Sequence, residues 1–266
     1  MRQKPKFKKF KKVAQSAAKK AGEYLLKNFL KIHRQSNFKF KSDHEIVTRF
    51  DFGAESIILQ EIRKNFPRHD ILSEEAGFKN FVGKDFLWIC DPLDGTTNFS
   101  IKNPLFAVSV ALAYQGEIVL GVVFVPVLSE LFTAQKGKGA YLNGKKIFVS
   151  RTNKIEKSFL TYCHSYKKKH IRRAVEIYRF FKLRSYDIRQ LGSAAAEFVW
   201  VARGLTEAIM IPGANPWDVA AGSLLVKEAG GRVTDFQNKD WNLKSRDIVA
   251  SNGKIHQDIL KILRKI

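Results

Sequence analysis

At 266 residues the chain is long enough to bury a substantial core, either as one large domain or as two joined ones. Its 45% hydrophobic content is ordinary for a globular protein, and no apolar run approaches the ~18 residues of a membrane span. No secretory apolar segment is present, so a cytoplasmic protein with no membrane span is expected. Cys90 and Cys163 leave no disulfide framework and read as buried free thiols. The formal net charge of +22 implies either anionic partners (phosphate esters, nucleic acid or a membrane surface) or a composition that simply favours lysine.

Residues 1–12 carry only basic charges. They read as a nucleic-acid or membrane arm, a transit-like leader, or the solvated start of a helix. The last is favoured, because Val13, Ala17, Ala21, Tyr24, Leu25 and Leu30 recur at helical spacing directly behind them. A second helix is predicted from Asp51 to about Asn65, with Ala54, Ile57, Ile58 and Ile62 as its apolar face and Asp51 placed to cap it. A short strand, Ile71-Leu72, then runs into the acidic turn Ser73-Glu-Glu-Ala-Gly77.

The next strand, Phe86 to Cys90, should end at Pro92, which has no N–H to give to a ladder. It opens into Asp91-Pro-Leu-Asp-Gly-Thr-Thr-Asn-Phe99, a turn rich in oxygen donors: Asp91, Asp94, Thr96, Thr97 and Asn98. Two carboxylates at close range repel unless a cation lies between them. With no Cys or His in the set that cation should be hard, Mg²⁺ before Mn²⁺ or Ca²⁺. Gly95 allows close backbone approach, and the N–H groups of Gly95, Thr96 and Thr97 stand where a helix could start, a natural anion site. A plain Asp-capped turn needs one carboxylate and not two.

Residues 103–150 read as antiparallel β, with Phe106–Ala113 and Glu117–Val125 joined by Tyr114-Gln-Gly116, a third strand at Leu131–Ala134, and a hairpin at Asn143-Gly144. The polar stretch 150–157 marks a boundary, dividing the chain into 1–152 and 153–266. Beyond it strands and helices alternate: Phe159–Cys163, Lys167–Phe181, Arg184–Ile188, Ser193–Ala202, Glu207–Ile211 and Trp217–Ala229, the last stopped by Gly230-Gly231. Strands at Arg232–Thr234 and Ile248–Ala250 and a helix from about Gln257 complete an α/β fold. The six His residues show no metal-ligand spacing.

Four ordered motifs then resemble the inositol monophosphatase family of Mg²⁺-dependent, lithium-sensitive phosphomonoesterases, over nearly the whole chain. They are Ile46-Val-Thr-Arg-Phe-Asp51 with Glu74, the 91–99 turn, Leu191-Gly-Ser-Ala-Ala-Ala196, and Trp217-Asp-Val-Ala-Ala-Gly222 followed by Glu228-Ala-Gly-Gly231. The resemblance implies a layered α-β-α-β-α sandwich and a homodimer. It implies two or three Mg²⁺ on Glu74, Asp91, the Leu93 carbonyl, Asp94 and Asp218. It implies Glu74, Thr96 and Asp51 as the groups that prepare the attacking water. Substrate contacts would come from Asp94, Gly95, Thr96, Gly192, Ser193, Ala194 and Asp218. The substrate would be myo-inositol 1-phosphate or a related polyol or sugar phosphate. Alternatives are a fructose-1,6-bisphosphatase, a histidinol-phosphatase or a nucleotide 3′-phosphatase. A different class, a nucleic-acid-binding protein on the same scaffold, rests on the charge alone. One departure bears on substrate: where animal-type members place a Glu on the inositol hydroxyls, this chain has Ile211.

Overall fold

Residues 7–12 of the basic N-terminal stretch lie in a helix. The structure, a computed structural model, describes residues 7–31, 38–40, 46–76 and 85–266. Within them α1 (Phe7–Phe29) buries Phe10, Val13, Ala17, Ala21 and Leu25. Leu30, expected on that stripe, lies beyond the helix end and is exposed. The first six residues, residues 41–45 and Gly77 fall outside the described residues. After β1 (Phe38–Phe40) and β2 (Ile46–Thr48), α2 (Arg49–Asn65) buries Phe50, Ala54, Ile58 and Ile62, with Asp51 and Glu55 on the same side.

A seven-stranded sheet follows in chain order: β3 (Asp70–Ser73), β4 (Phe86–Asp94), β5 (Ala107–Tyr114), β6 (Glu117–Val125), β7 (Glu130–Gln135), β8 (Ala140–Leu142) and β9 (Lys145–Ile147). β3 and β4 are parallel and the other neighbours antiparallel. Gln115-Gly116 and Asn143-Gly144 each place two successive residues at positive φ, the geometry of the tight hairpin turns their sequences predict. The strand expected to stop before Pro92 does not. β4 continues to Asp94, because its register against β5 slips between Asp91 and Asp94, and Pro92 sits in that irregularity where no ladder donor is required. Gly95 then turns the chain into the short α3 (Thr96–Ser100).

The second sheet has the order β11-β10-β12-β14-β13, built from β10 (Phe159–Tyr162), β11 (Asp187–Arg189), β12 (Ala208–Pro212), β13 (Arg232–Thr234) and β14 (Asp247–Ser251). β11 starts later than the expected Arg184, because the N–H groups of Arg184 and Ser185 both turn back to the Phe181 carbonyl and close the preceding helix. That helix is α4 (Lys168–Lys182); α5 (Ala194–Ala202), α6 (Pro216–Glu228) and α7 (His256–Leu263) complete the chain. Gly230, at φ 92, ends α6 in the left-handed conformation that glycine tolerates.

Strand alternation sorts the layers. Trp88, Cys90, Val110, Leu112, Val122 and Phe124 face α1 and α2. Leu87, Ile89, Ala111 and Val123 point the other way, onto α5 and α6, whose far side meets Ile209, Ile211, Ile248 and Ala250. Leu160, Ala208, Met210 and Val249 face the outer layer of α4 and α7. The order is therefore α-β-α-β-α. α6 lies so close to the first sheet that a Cβ on Gly121 would come within 2.7 Å of the Ala221 carbonyl oxygen.

Candidate functional site

The starts of α2, α3, α5 and α6 converge at the carboxyl end of β4. Asp51 is the third residue of α2: its Oδ2 accepts the Thr48 N–H at 2.8 Å and the Thr48 hydroxyl at 2.5 Å, while Thr48 Oγ1 accepts the Phe50 N–H. The capping role is real, yet it uses only one oxygen. Oδ1 accepts the Thr96 hydroxyl at 2.8 Å across the fold. Burial raises the Asp51 pKa, against the lowering effect of those bonds. Asp218 repeats the arrangement as the third residue of α6, accepting the Asn215 N–H at 3.2 Å while also lining the main cavity.

That cavity has a volume of about 750 Å³ and is lined by Glu74, Asp91, Leu93, Asp94, Gly95, Thr96, Gly192, Ala194 and Asp218. Asp91 is 1% exposed, and its pKa is raised well above the usual carboxylate range by burial, then by the neighbouring charges of Glu74, Asp94 and Asp218. Asp94 accepts the Ser193 hydroxyl and the N–H groups of Ala194 and Ala195, at 3.1 and 2.8 Å; burial outweighs these bonds and pushes it to about 6. Ser193 is thus bonded to Asp94 and is absent from the cavity lining, one step behind its predicted place. The Ala194 N–H is likewise given to Asp94. Gly95 has φ 92, and a Cβ there would press on the Gly192 and Leu105 carbonyls at 3.2 Å. Asn98, read from sequence among the oxygen donors of the turn, faces away: its amide donates to the carbonyls of Leu105 and Leu191, both at 2.7 Å, and ties the turn to the chain before α5.

Comparison with known proteins decides what this arrangement belongs to. The model of the inositol monophosphatase family matches residues 6–266. The chain belongs to the inositol monophosphatase family. It is 37% identical over 253 residues to the Nus factor SuhB of Salmonella typhimurium, covering 95% of this chain and 94% of that protein. It is 38% identical over 235 residues to a fructose-1,6-bisphosphatase/inositol-1-monophosphatase of Thermotoga maritima, covering 88% and 87%. Among solved structures, the Thermotoga maritima IMPase superposes with a TM-score of 0.86 at 36% identity, covering 94% of this chain and 95% of that one. The extragenic suppressor protein suhB of Bartonella henselae gives 0.88 at 35% identity, covering 96% and 98%. The family and its structural neighbours indicate a phosphatase, and the family is generally metal-dependent.

As the side chains stand, no group of three or more His, Cys, Asp or Glu residues among the described ones is set around a common point to hold an ion. The reason is visible in the bonding: Asp94 is turned onto α5 and Asp218 onto Asn215. The donor chemistry nevertheless fits a hard cation. Four carboxylates line one cavity, and burial together with the charges of Glu74, Asp94 and Asp218 raises the Asp91 pKa, a cost that a divalent ion relieves.

Two positioning acids were not read from the sequence. Glu55 accepts the N–H groups of Glu75 and Ala76 at 3.2 and 3.0 Å, fixing the turn that carries Glu74. Glu197 is fully buried; its Oε1 accepts from the Leu191 and Gly192 N–H groups at 3.1 Å and from the Cys163 thiol at 3.0 Å. Burial pushes Glu197 up to about 8. Both carried a signal: each is an acid on a mostly apolar helix face, which folding tolerates only with partners. Cys90 and Cys163 are buried free thiols, as expected.

Proposed function

We propose that this protein is a Mg²⁺-dependent phosphomonoesterase that hydrolyses a small polyol, sugar or related phosphate ester. The observation that carries the reading is the meeting of Glu74, Asp91, Asp94 and Asp218 in one cavity with the bonded pair Thr96–Asp51 at its edge. Glu74, Asp91, the Leu93 carbonyl, Asp94 and Asp218 would hold Mg²⁺, which when bound neutralises phosphate charge and makes water more acidic. Thr96 gives its hydrogen to Asp51, so a lone pair of its hydroxyl is left to accept a proton from water in the cavity. Glu74, on a turn braced by Glu55, would orient the same water. As that water attacks phosphorus its proton passes to Thr96 while the Thr96 proton moves to Asp51, the ester P–O bond breaks, and the departing alkoxide takes a proton from solvent water, which the release of the Asp51 proton to solvent restores, giving alcohol and inorganic phosphate. The start of α3 at Gly95 and Thr96 would receive the phosphate oxygens. Gly192 and Ala194 would border the leaving group. Myo-inositol 1-phosphate heads the substrate panel, with fructose 1,6-bisphosphate, histidinol phosphate and adenosine 3′,5′-bisphosphate beside it. Turnover of at least one, lost with chelator and restored by Mg²⁺, is the expected result; no turnover of any by a folded protein removes the reading.

A second reading is compatible with the first. Several relatives are named Nus factors, and α4 with its following turn exposes Arg172, Arg179 and Arg184 beside Tyr178 and Tyr186. The Arg184 guanidinium stacks over Phe180 at 3.8 Å. Basic side chains interleaved with rings suit RNA in a transcription complex. Steeply salt-dependent RNA binding, weakened by reversing these three arginines to glutamate, is expected; binding indifferent to salt and to the substitutions would count against it. A homodimer acting in the cytoplasm, and inhibition by lithium, complete the proposal, the first checked by light scattering and the last by assay.

A further inference from the structure

Ile211 and Ala214 face the cavity where the family resemblance places a hydroxyl-binding acid. An apolar wall there cannot recognise a polyol, so recognition must come from elsewhere in the lining. The segment carrying Ile211 is tied to a basic loop. The Cys163 N–H donates to the Met210 carbonyl at 3.2 Å, and the Ser165 N–H to the Pro212 carbonyl at 3.3 Å. His170 is bonded to the Ser165 hydroxyl at 2.5 Å and packs so tightly on Gly213 that a Cβ there would lie 1.9 Å from its Nδ1. This packing sets Lys167 and Lys169 into the cavity lining. Arg246 joins them from another element: it precedes Asp247, the register partner of Pro212.

Lys167, Lys169 and Arg246 make no ion pair among the described residues. The acids in the lining are Glu74, Asp91, Asp94 and Asp218, all of them expected to face Mg²⁺. Among the described residues, no acid of the lining is left over to pair with these cations. Their field is felt locally: the His170 pKa is lowered by burial first and then by Lys169, Lys167 and His164. A cavity of about 750 Å³ has room for a phosphorylated sugar or nucleoside as a whole.

We propose that Lys167, Lys169 and Arg246 form a second anion subsite, and that the preferred substrate carries a second phosphoryl group away from the one that is cleaved. Two ammonium groups and a guanidinium suit a phosphate dianion better than a hydroxyl or a single carboxylate. The inference rests on the phosphatase reading and deepens it by choosing among ester classes.

The test compares fructose 1,6-bisphosphate with fructose 1-phosphate, and adenosine 3′,5′-bisphosphate with adenosine 3′-phosphate, in Mg²⁺. For at least one pair, kcat/KM should favour the bisphosphate by about tenfold or more, mainly through KM. The ratio should collapse towards one in the Lys167→Glu, Lys169→Glu double variant. Arg246→Gln, a milder change, should lower it in the same direction if the double variant folds poorly. Equal kcat/KM within both pairs, or a preference that survives these substitutions, overturns the subsite. If no ester is turned over, the phosphatase reading fails separately. Calorimetric titration of the same pairs then reads the subsite alone, and a bisphosphate bound no tighter than its monophosphate overturns it.

Discussion

Thr96 has one hydroxyl hydrogen, and its nearest acceptor is a carboxylate whose other oxygen is already occupied. Asp51 is locked by Thr48 on one side and receives Thr96 at 2.8 Å on the other, a shorter contact than the 3.0 Å from the Thr96 hydroxyl to the Leu93 carbonyl. On this account Thr96→Val should lower kcat by roughly 10²–10⁴ with little change in KM, and Thr96→Ser should restore most of it. A Val variant with normal kcat would remove the relay. Glu197 gives a prediction with a different readout. Its folded pKa of about 8 lies above the usual value of 4.5, so the folded chain holds a proton that the unfolded chain releases. Stability from this group is therefore intact below about pH 4.5 and falls as pH rises towards 8, by at most about 1.4 kcal/mol per pH unit. Glu197→Gln imitates the protonated form and should flatten that slope in thermal melts. Glu197→Leu, which leaves the Leu191 and Gly192 N–H groups without an acceptor, should instead cost about 2 kcal/mol or more. Identical pH slopes in the wild type and Glu197→Gln would contradict the assignment.

At the scale of elements, the site is a consequence of where helices begin. Asp51 and Asp218 each cap a helix and each reach the cavity or its edge, so the sequence signal for a cap and the signal for a functional acid coincide. That is why capping logic alone leaves both residues ambiguous. The 91–99 turn was legible because two carboxylates exceed what a cap requires. Its strand was not, because the β4 irregularity that accommodates Pro92 depends on pairing with β5. Glu55 and Glu197 stood in plain sight on apolar faces, but their partners are 20 residues and 34 residues distant, Glu75 and Cys163, and only the fold brings them together. The spacing between elements is equally tight. Gly121→Ala places a methyl against the backbone of α6, and should cost about 1–3 kcal/mol as the helix is pushed off β6. Since α6 carries Asp218, the same variant should bind Mg²⁺ more weakly, measured by calorimetry. Unchanged metal affinity in a destabilised protein would separate the packing from the site.

The whole molecule gathers four acids around one cavity, Asp91 and Asp94 of them buried, within a chain whose net charge is +22. Without metal the acids are a liability: Asp94 sits at about 6 against 3.8, so the stability linked to it declines as pH rises from about 4 to 6 and stays low above. Mg²⁺ should therefore raise the melting temperature more at about pH 8 than at about pH 5, with a gain near 2.7 kcal/mol when Mg²⁺ reaches about 100 times its Kd. A shift independent of pH would place the ion away from these carboxylates. The family and the layered fold were readable in the motifs, while the basic loop against Ile211 emerged only when β12, β14 and the start of α4 were assembled. The central claim, that this acidic cluster is a metal-dependent phosphatase site, is tested most directly by phosphate release from the substrate panel, comparing the wild type with Asp94→Asn in Mg²⁺ and in chelator. The account predicts Mg²⁺-dependent turnover by the wild type and a loss of about 100-fold or more in a folded Asp94→Asn protein. Turnover that survives either the substitution or the chelator would contradict it.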